Sequence, residues 1–337
     1  MSMTAFFYSP YIIDGVAMDS TPAQLLGDTS CVAVGSAVID DSVDPSPGGY
    51  PFDESKVESY LSIIRGRTFP LELAYSGPSA RCELAYALID SLWAEGHFVL
   101  EDLKLSVNMR WSIGALGEAA SLYKAAEEIS NLCSEFDLPV VGSNFGIGTK
   151  LLDFRVENVS SERIVPSKLK ADKESWIIYI PFDTDSFHLG GSELTSAMEV
   201  KGGVAPNMED PDYFMDCFEV VREMSEDGIL LSASTVGRGG IIKSMDRMCS
   251  ETIGADIDIS QIRRAYPSSD AVRILFSEVP GVLIQIADSD FDYVDAELLL
   301  QDVMYFPLGH AVYRGGGVRV SWSDKSAIGA ILDSLIR

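Results

Sequence analysis

The chain has 337 residues, 47% hydrophobic and 23% charged, which supplies a sizeable core, leaves room for two domains and excludes a disordered chain. Its 25 Lys and Arg against 51 Asp and Glu leave a formal net charge of −26, so neither nucleic acid nor an anionic membrane surface is expected as a partner. Five scattered cysteines (Cys31, Cys82, Cys133, Cys217, Cys249) and three scattered histidines (His97, His188, His310) argue for reduced core thiols and against a disulfide frame or a zinc site. With no basic leader and no apolar run of about 18 residues, the expected location is the cytoplasm.

In chain order, residues 1–30 read as an irregular N-terminal extension and residues 31–38 as an apolar strand, followed by a Pro- and Gly-rich loop over 40–53. Residues 71–75 alternate like a strand closed by Gly77 and Pro78. From Ser79 the period changes: Leu84, Ala85, Leu88, Ile89, Leu92 and Trp93 recur at helical spacing until Gly96. Leu103, Leu105, Val107 and Met109 then alternate as a half-buried strand, residues 118–136 are helical, and 139–148 form a glycine-rich passage after a short apolar run. Residues 31–166 thus read as an N-terminal domain of sheet and helices. Residues 167–174, with Lys168, Lys170 and Lys173, are the expected linker, and 175–337 a C-terminal βα domain. Within it, 176–180 is a fully apolar strand of the kind a buried sheet needs. A glycine pair follows at Gly190 and Gly191, then a loop through Pro206 and Pro211, a helix over Tyr213 to Met224, a strand over 281–286, a helix over 294–303, and a last strand at 317–322 before a helix over 324–336. The alternation of strands and helices means α/β or α+β layers.

Residues 228–242 read as strand, tight turn and helix. Gly237, Gly239 and Gly240 let backbone N–H groups approach a ligand, and the first turn of the next helix offers unpaired donors, so the turn has the shape of an anion cradle. No His, Asp, Glu or Cys lies between Ser234 and Ile241, so the cradle lacks a proton-transfer group. Arg238 could pair with a phosphate or be a solvated loop residue. Gly190, Gly191 and Ser192 could likewise bind phosphate, with Glu193 as a magnesium ligand, or form a turn in which Ser192 caps a helix. Glu83 and Asp90 lie one heptad apart on one helix face, with Tyr86 between them, and are either metal ligands or a solvated face; Asp183 and Asp185 carry the same ambiguity. No Ser/His/Asp or Cys/His arrangement has a spacing logic, so no residue is assigned as catalytic.

Leu189-Gly-Gly-Ser-Glu193, the turn at Gly237 to Ile241 and Leu275-Phe-Ser-Glu-Val-Pro-Gly281 follow one another in an order that resembles the aminoimidazole ribonucleotide synthetase superfamily, and within it the second synthetase half of the large phosphoribosylformylglycinamidine synthase. Ala87-Leu-Ile-Asp-Ser-Leu-Trp-Ala94 is similar to the family helix Ala-Leu-Thr-Asn-x-x-Trp-Ala, and Leu105-Ser-Val-Asn-Met-Arg-Trp111 to its strand Leu-Ser-Ala-Asn-Trp-Met-Trp. The departures fall on charged groups. Where the family reads His-Asp-x-Ser-x-Gly-Gly-Leu this chain begins with Ser234 and Thr235, and where it reads Gly-Lys-Asp-Ser this chain has Gly142, Ser143, Asn144 and Phe145. The Glu of the family's metal-binding helix falls at Tyr86 and the Asn four residues later at Asp90, while Glu193 and Glu278 are retained.

The resemblance implies an α+β unit of two domains, and ATP or ADP with magnesium as the ligand of any functional site. Gly190, Gly191, Ser192, Arg238, Gly239 and Gly240 are then the nucleotide- or phosphate-binding candidates, and Asp90, Glu193 and Glu278 the metal candidates. Loss of several charged groups from a site that must organise Mg-ATP conflicts with phosphoryl transfer. The leading expectation is therefore a degenerate, catalytically inactive member acting as a structural or nucleotide-binding subunit; the alternative is an active ATP-dependent amidine-forming ligase of purine synthesis, or a fragment of one. A third, a protein-binding module, requires Phe145, Tyr86 and Arg238 to fill the cleft. Superfamily units pair through their N-terminal sheets, so an exposed sheet edge and apolar face predict a dimer with a second copy or a related chain.

Overall fold

The computed structural model describes residues 5–28, 38–41, 52–185, 187–200, 203–314 and 316–323. Apart from Val38, the strand expected at 31–38 lies outside them, as does the helix expected at 324–336. The fold is α+β, built on three sheets. The largest has six strands in the order Val318–Ser321, Gly254–Asp258, Phe306–Val312, Trp176–Pro181, Gly281–Ile286 and Leu230–Val236. All neighbours run antiparallel except the first pair, which is parallel. Gly281–Ile286 is buried at every position, which explains its unbroken apolar sequence.

Alternate residues of this sheet face two cores. Ile178, Ile180, Val282 and Ile284 pack with the helices Ser76–Ser91 and Pro211–Glu226. Ile177, Tyr179, Leu283 and Val236 pack with Gly240–Met248 and Ala271–Phe276, and with the early helix Val57–Ile64. Both halves of the chain therefore share their cores: Leu84, Leu88 and Met109 belong to the same cluster as Ile178 and Phe214. The expected linker is held down. Leu169 is buried and donates its N–H to Met248, and Lys170 exchanges hydrogen bonds with the buried amide of Gln285.

In the N-terminal half, Leu105–Trp111 is flanked by Val140–Ile147, parallel, and Leu151–Val156, antiparallel. Leu105, Val107, Met109 and Trp111 are buried against the helices Ser76–Ser91 and Glu118–Glu135. The opposite face is polar where an apolar one was expected. Ser106, Asn108 and Arg110 lie there beside Asn144, Asp153 and Arg155, and Asn144 Nδ2 donates to Asn108 Oδ1 at 3.2 Å. Residues 71–75 are not a strand: a 3-10 turn at Leu73–Tyr75 runs into the helix Ser76–Ser91. Residues 5–28 are more regular than the irregular extension expected. Tyr11–Ile13 pairs with Val16–Ala17 and Ile39–Asp41, and Phe7 stacks on Phe145 at 4.5 Å. Among the described residues no helix is long and apolar enough to cross a membrane.

Candidate functional site

The two glycine turns meet. One leads from Trp176–Pro181 through Gly190 and Gly191 into the short helix Glu193–Ala197, whose N-cap is Ser192, its side chain accepting from the Thr195 N–H. The other joins Leu230–Val236 to Gly240–Met248. At Gly240, with φ +71°, an added Cβ would lie 2.6 Å from the carbonyl oxygen of Leu275 and 2.7 Å from that of Ser277. Glycine is required there by the approach of the chain carrying Glu278. Gly190 donates its N–H to Val204 at 2.8 Å, which closes its turn against the following loop.

The anion that these turns hold is the chain's own. Glu278 Oε1 accepts the backbone N–H of Glu193 at 2.7 Å and that of Gly239 at 2.8 Å, one from each turn. Its carboxyl is 7% exposed as a residue and is pushed upward from the ordinary range by burial, against the pull of Arg238 and the two N–H donors. Tyr86 donates its hydroxyl to the Glu278 carbonyl, which ties the helix Ser76–Ser91 to the same segment.

Arg238 points into this cluster. Its Nη1 lies 3.4 Å from Glu83 Oε1 and its Nε 3.8 Å from Glu193 Oε1. Burial works against its charge, but Glu278, Glu83 and Glu193 outweigh it and hold the guanidinium above its ordinary range. Lys243 Nζ contacts Glu193 Oε2 and donates to the carbonyl of Arg67 at 2.8 Å. Three carboxylates thus face two cations. The excess falls on Glu83, which burial raises to about 7; Arg238 opposes the shift and Glu278 adds to it.

The site candidates therefore fall in two places. Gly190, Gly191, Ser192, Glu193, Arg238, Gly239, Gly240 and Glu278 converge on the cleft, together with Glu83, Tyr86 and Lys243. Lys243 carried no sequence signal, because its partner Glu193 lies 50 residues away. Asp90 stands apart, accepting from the Thr235 hydroxyl and lining a neighbouring groove. Asp183 accepts backbone N–H groups of Asp185, Glu209 and Asp210 and anchors a loop. Phe145 is not in the cleft; Tyr86 and Arg238 are.

The cleft between Gly190 and Arg238 retains a cavity of about 10 Å³, the space of a single water. A nucleotide does not fit it. Lys243 takes Glu193 Oε2 and two N–H groups take Glu278 Oε1, while the buried Glu193 Oε1 and Arg238 Nε and Nη2 have no hydrogen-bond partner; among the described residues no three His, Cys, Asp or Glu are placed to hold a metal ion. As it stands, this closed cleft has no room for a magnesium nucleotide.

Residues 179–314 match the model of the AIR synthase related protein C-terminal domain. The human phosphoribosylformylglycinamidine synthase is 22% identical over 245 residues, which cover 68% of this chain and 18% of that protein. Among solved structures, T. maritima PurL complexed with FGAR superposes with a TM-score of 0.54 at 13% identity, covering 76% of this chain and 42% of that one. PurLQS from Thermotoga maritima gives 0.52 at 15% identity, covering 80% and 46%. The chain thus spans under half the length of these solved relatives and about a fifth of the human one. The resemblance to the aminoimidazole ribonucleotide synthetase superfamily, near the phosphoribosylformylglycinamidine synthases, holds by domain model, curated relative and fold together.

Proposed function

We propose that this chain is a catalytically silent, cytoplasmic relative of the phosphoribosylformylglycinamidine synthases that acts as a structural subunit, paired with a second copy or a related synthetase-like chain. The observation that carries this reading is the closed cleft, of about 10 Å³, in which Arg238 reaches Glu83 and Glu193 rather than an open space. The N–H groups of Glu193 and Gly239, one from each glycine turn, are taken up by Glu278 of the same chain. A site built for phosphoryl transfer keeps such donors free and supplies cations to the transferring group. Here both are used to hold the fold.

Isothermal titration of the full chain with Mg-ATP and with Mg-ADP tests it. No heat of binding is expected at millimolar nucleotide; micromolar, magnesium-dependent affinity would overturn the structural reading in favour of the active ATP-dependent ligase, which the retained Glu193 and Glu278 and the ATP- and ADP-bound PurL relatives keep as the alternative.

A further inference from the structure

Beside the filled cleft runs a groove of about 450 Å³ between the helix Ser76–Ser91, with its C-terminal extension, and the strand Leu151–Val156. On the helix side the lining residues include Glu83, Ala87, Asp90 and Ala94, a single stripe at three- to four-residue spacing. On the strand side all of residues 152–156 line it. Successive side chains of a strand point to opposite faces, so five consecutive residues can border one cavity only along the strand's edge.

That edge is unpaired among the described residues, since Leu151–Val156 has Leu105–Trp111 as its single neighbour. The register fixes which groups are free. Glu157 donates its N–H to the Lys104 carbonyl at 2.8 Å, which faces Glu157 toward the sheet and makes Ser106 with Arg155 and Asn108 with Asp153 the hydrogen-bonded pairs along the antiparallel ladder. The backbone N–H and C=O groups of Leu152, Phe154 and Val156 therefore point away from the sheet and into the groove. The dimensions are comparable: the eleven steps from Glu83 to Ala94 rise about 16 Å and the four steps from Leu152 to Val156 span about 13 Å.

Asp90 and Asp153 are the groove's acidic groups, since Glu83, which also lines it, is engaged by Arg238; Arg163 and Arg247 act on Asp90 from outside the lining, and the lining cation Arg155 lies 3.5 Å from Glu157. We propose that this groove is a docking site for an extended, Lys- or Arg-bearing segment of a partner protein, which adds as a strand to the edge of Leu151–Val156 and sets its basic side chains against Asp90 and Asp153. A polyamine would satisfy the carboxylates alone; the row of unpaired backbone donors and acceptors selects a peptide, because main-chain pairing along an edge supplies affinity and alternate side chains supply specificity.

The test uses the full chain and two labelled ten-residue probes, alternating Lys-Val and alternating Glu-Val, read by fluorescence anisotropy and amide hydrogen exchange. The Lys-Val probe is expected to bind, to weaken with added salt, and to protect the amides of Leu152, Phe154 and Val156; the Glu-Val probe is expected not to bind. Asp153→Lys, at an exposed position, is expected to weaken the Lys-Val probe about fivefold at unchanged melting temperature. Val156→Pro, which removes one outward N–H from an edge where proline is tolerated, is expected to abolish protection at Leu152 and Phe154. Equal binding of both probes, binding that leaves these three amides unprotected, or no effect of Asp153→Lys overturns the proposal. So does protection that rises with protein concentration in the absence of probe, which would assign the edge to a second copy.

Discussion

Glu83 stands at the partition between the filled cleft and the open groove, and its ionisation reports the balance of the cluster behind it. Below its unfolded value of 4.5 the carboxyl is protonated whether the chain is folded or not. Between there and about 7 only the folded chain keeps the proton, so stability falls as pH rises through this window; above it both states are ionised and the full penalty of the buried charge is present. Arg238 at 3.4 Å recovers part of that penalty, but the upward shift means burial wins. Glu83→Gln leaves two carboxylates against two cations. It is therefore expected to match the parent near pH 4.5 and to exceed its unfolding free energy by on the order of 2 kcal/mol at pH 8, a value reduced for the partial exposure of the side chain. Denaturant unfolding at the two pH values checks this, and equal pH dependence in both proteins would refute it. The convergence on Glu278 could not be read from the sequence. The glycines were visible as turns, yet whether a turn holds a foreign phosphate or an internal carboxylate depends on a residue 39 positions from Gly239 and 85 from Glu193.

Elements with one strong period were legible, and those where two signals compete were not. Leu84 to Trp93 and residues 176–180 match the helix Ser76–Ser91 and the strand Trp176–Pro181 because burial on one stripe, or on both faces, leaves a clear pattern. Gly77-Pro78 looked like the close of a strand, but proline in a helix's first turn forfeits no hydrogen bond, so the helix begins before it. The glycine-rich 139–148 passage is the strand Val140–Ile147, where Gly142 makes room for the Ser106 hydroxyl, 2.9 Å from where a Cβ would stand. Pro307, Gly309 and a register shift between them hid the strand Phe306–Val312. The lysine-rich 167–174 segment suggested a linker, because nothing local reveals that Gln285 reaches it. That buried amide accepts from Lys170 N–H and the Ser232 hydroxyl and donates to Lys170 C=O and the Ser175 hydroxyl. Gln285→Leu removes all four bonds, leaves the Lys170 backbone groups and the Ser232 hydroxyl without this partner, and is expected to cost about 2–4 kcal/mol. Trypsin should then cut at Lys168, Lys170 or Lys173 well before the parent chain is cut there, whereas unchanged digestion would mean that buried Leu169 and the bonds from Lys168 Nζ to the Arg247 and Cys249 carbonyls hold the segment without Gln285.

At the scale of the whole molecule, pairing has to work against charge and without a large apolar face. Each chain carries −26, and the open face of the N-terminal sheet is polar, so two copies gain little by stacking those faces and repel one another at a distance. What remains is the other edge of that sheet. Val140–Ile147 contains no charged residue, exposes Val141 by 55% and Ile147 by 46%, and among the described residues has Leu105–Trp111 as its only strand partner. An uncharged open edge of this kind favours addition of another strand, in contrast to the acidic edge at Leu151–Val156. The attraction is short-ranged and the repulsion long-ranged, and salt screens the second far more than the first, with a Debye length of about 10 Å at 0.1 M falling to about 3 Å at 1 M. Sedimentation at micromolar concentration should therefore find self-association that tightens between 0.05 and roughly 0.5 M salt, opposite in sign to the salt dependence of basic-peptide binding at the acidic edge. Val141→Lys, which places a like charge on both copies at the pairing edge, should return the chain to a monomer at unchanged melting temperature. A parent chain that stays monomeric across the whole salt range rules out self-pairing through this edge and leaves a related chain as the partner the fold would need.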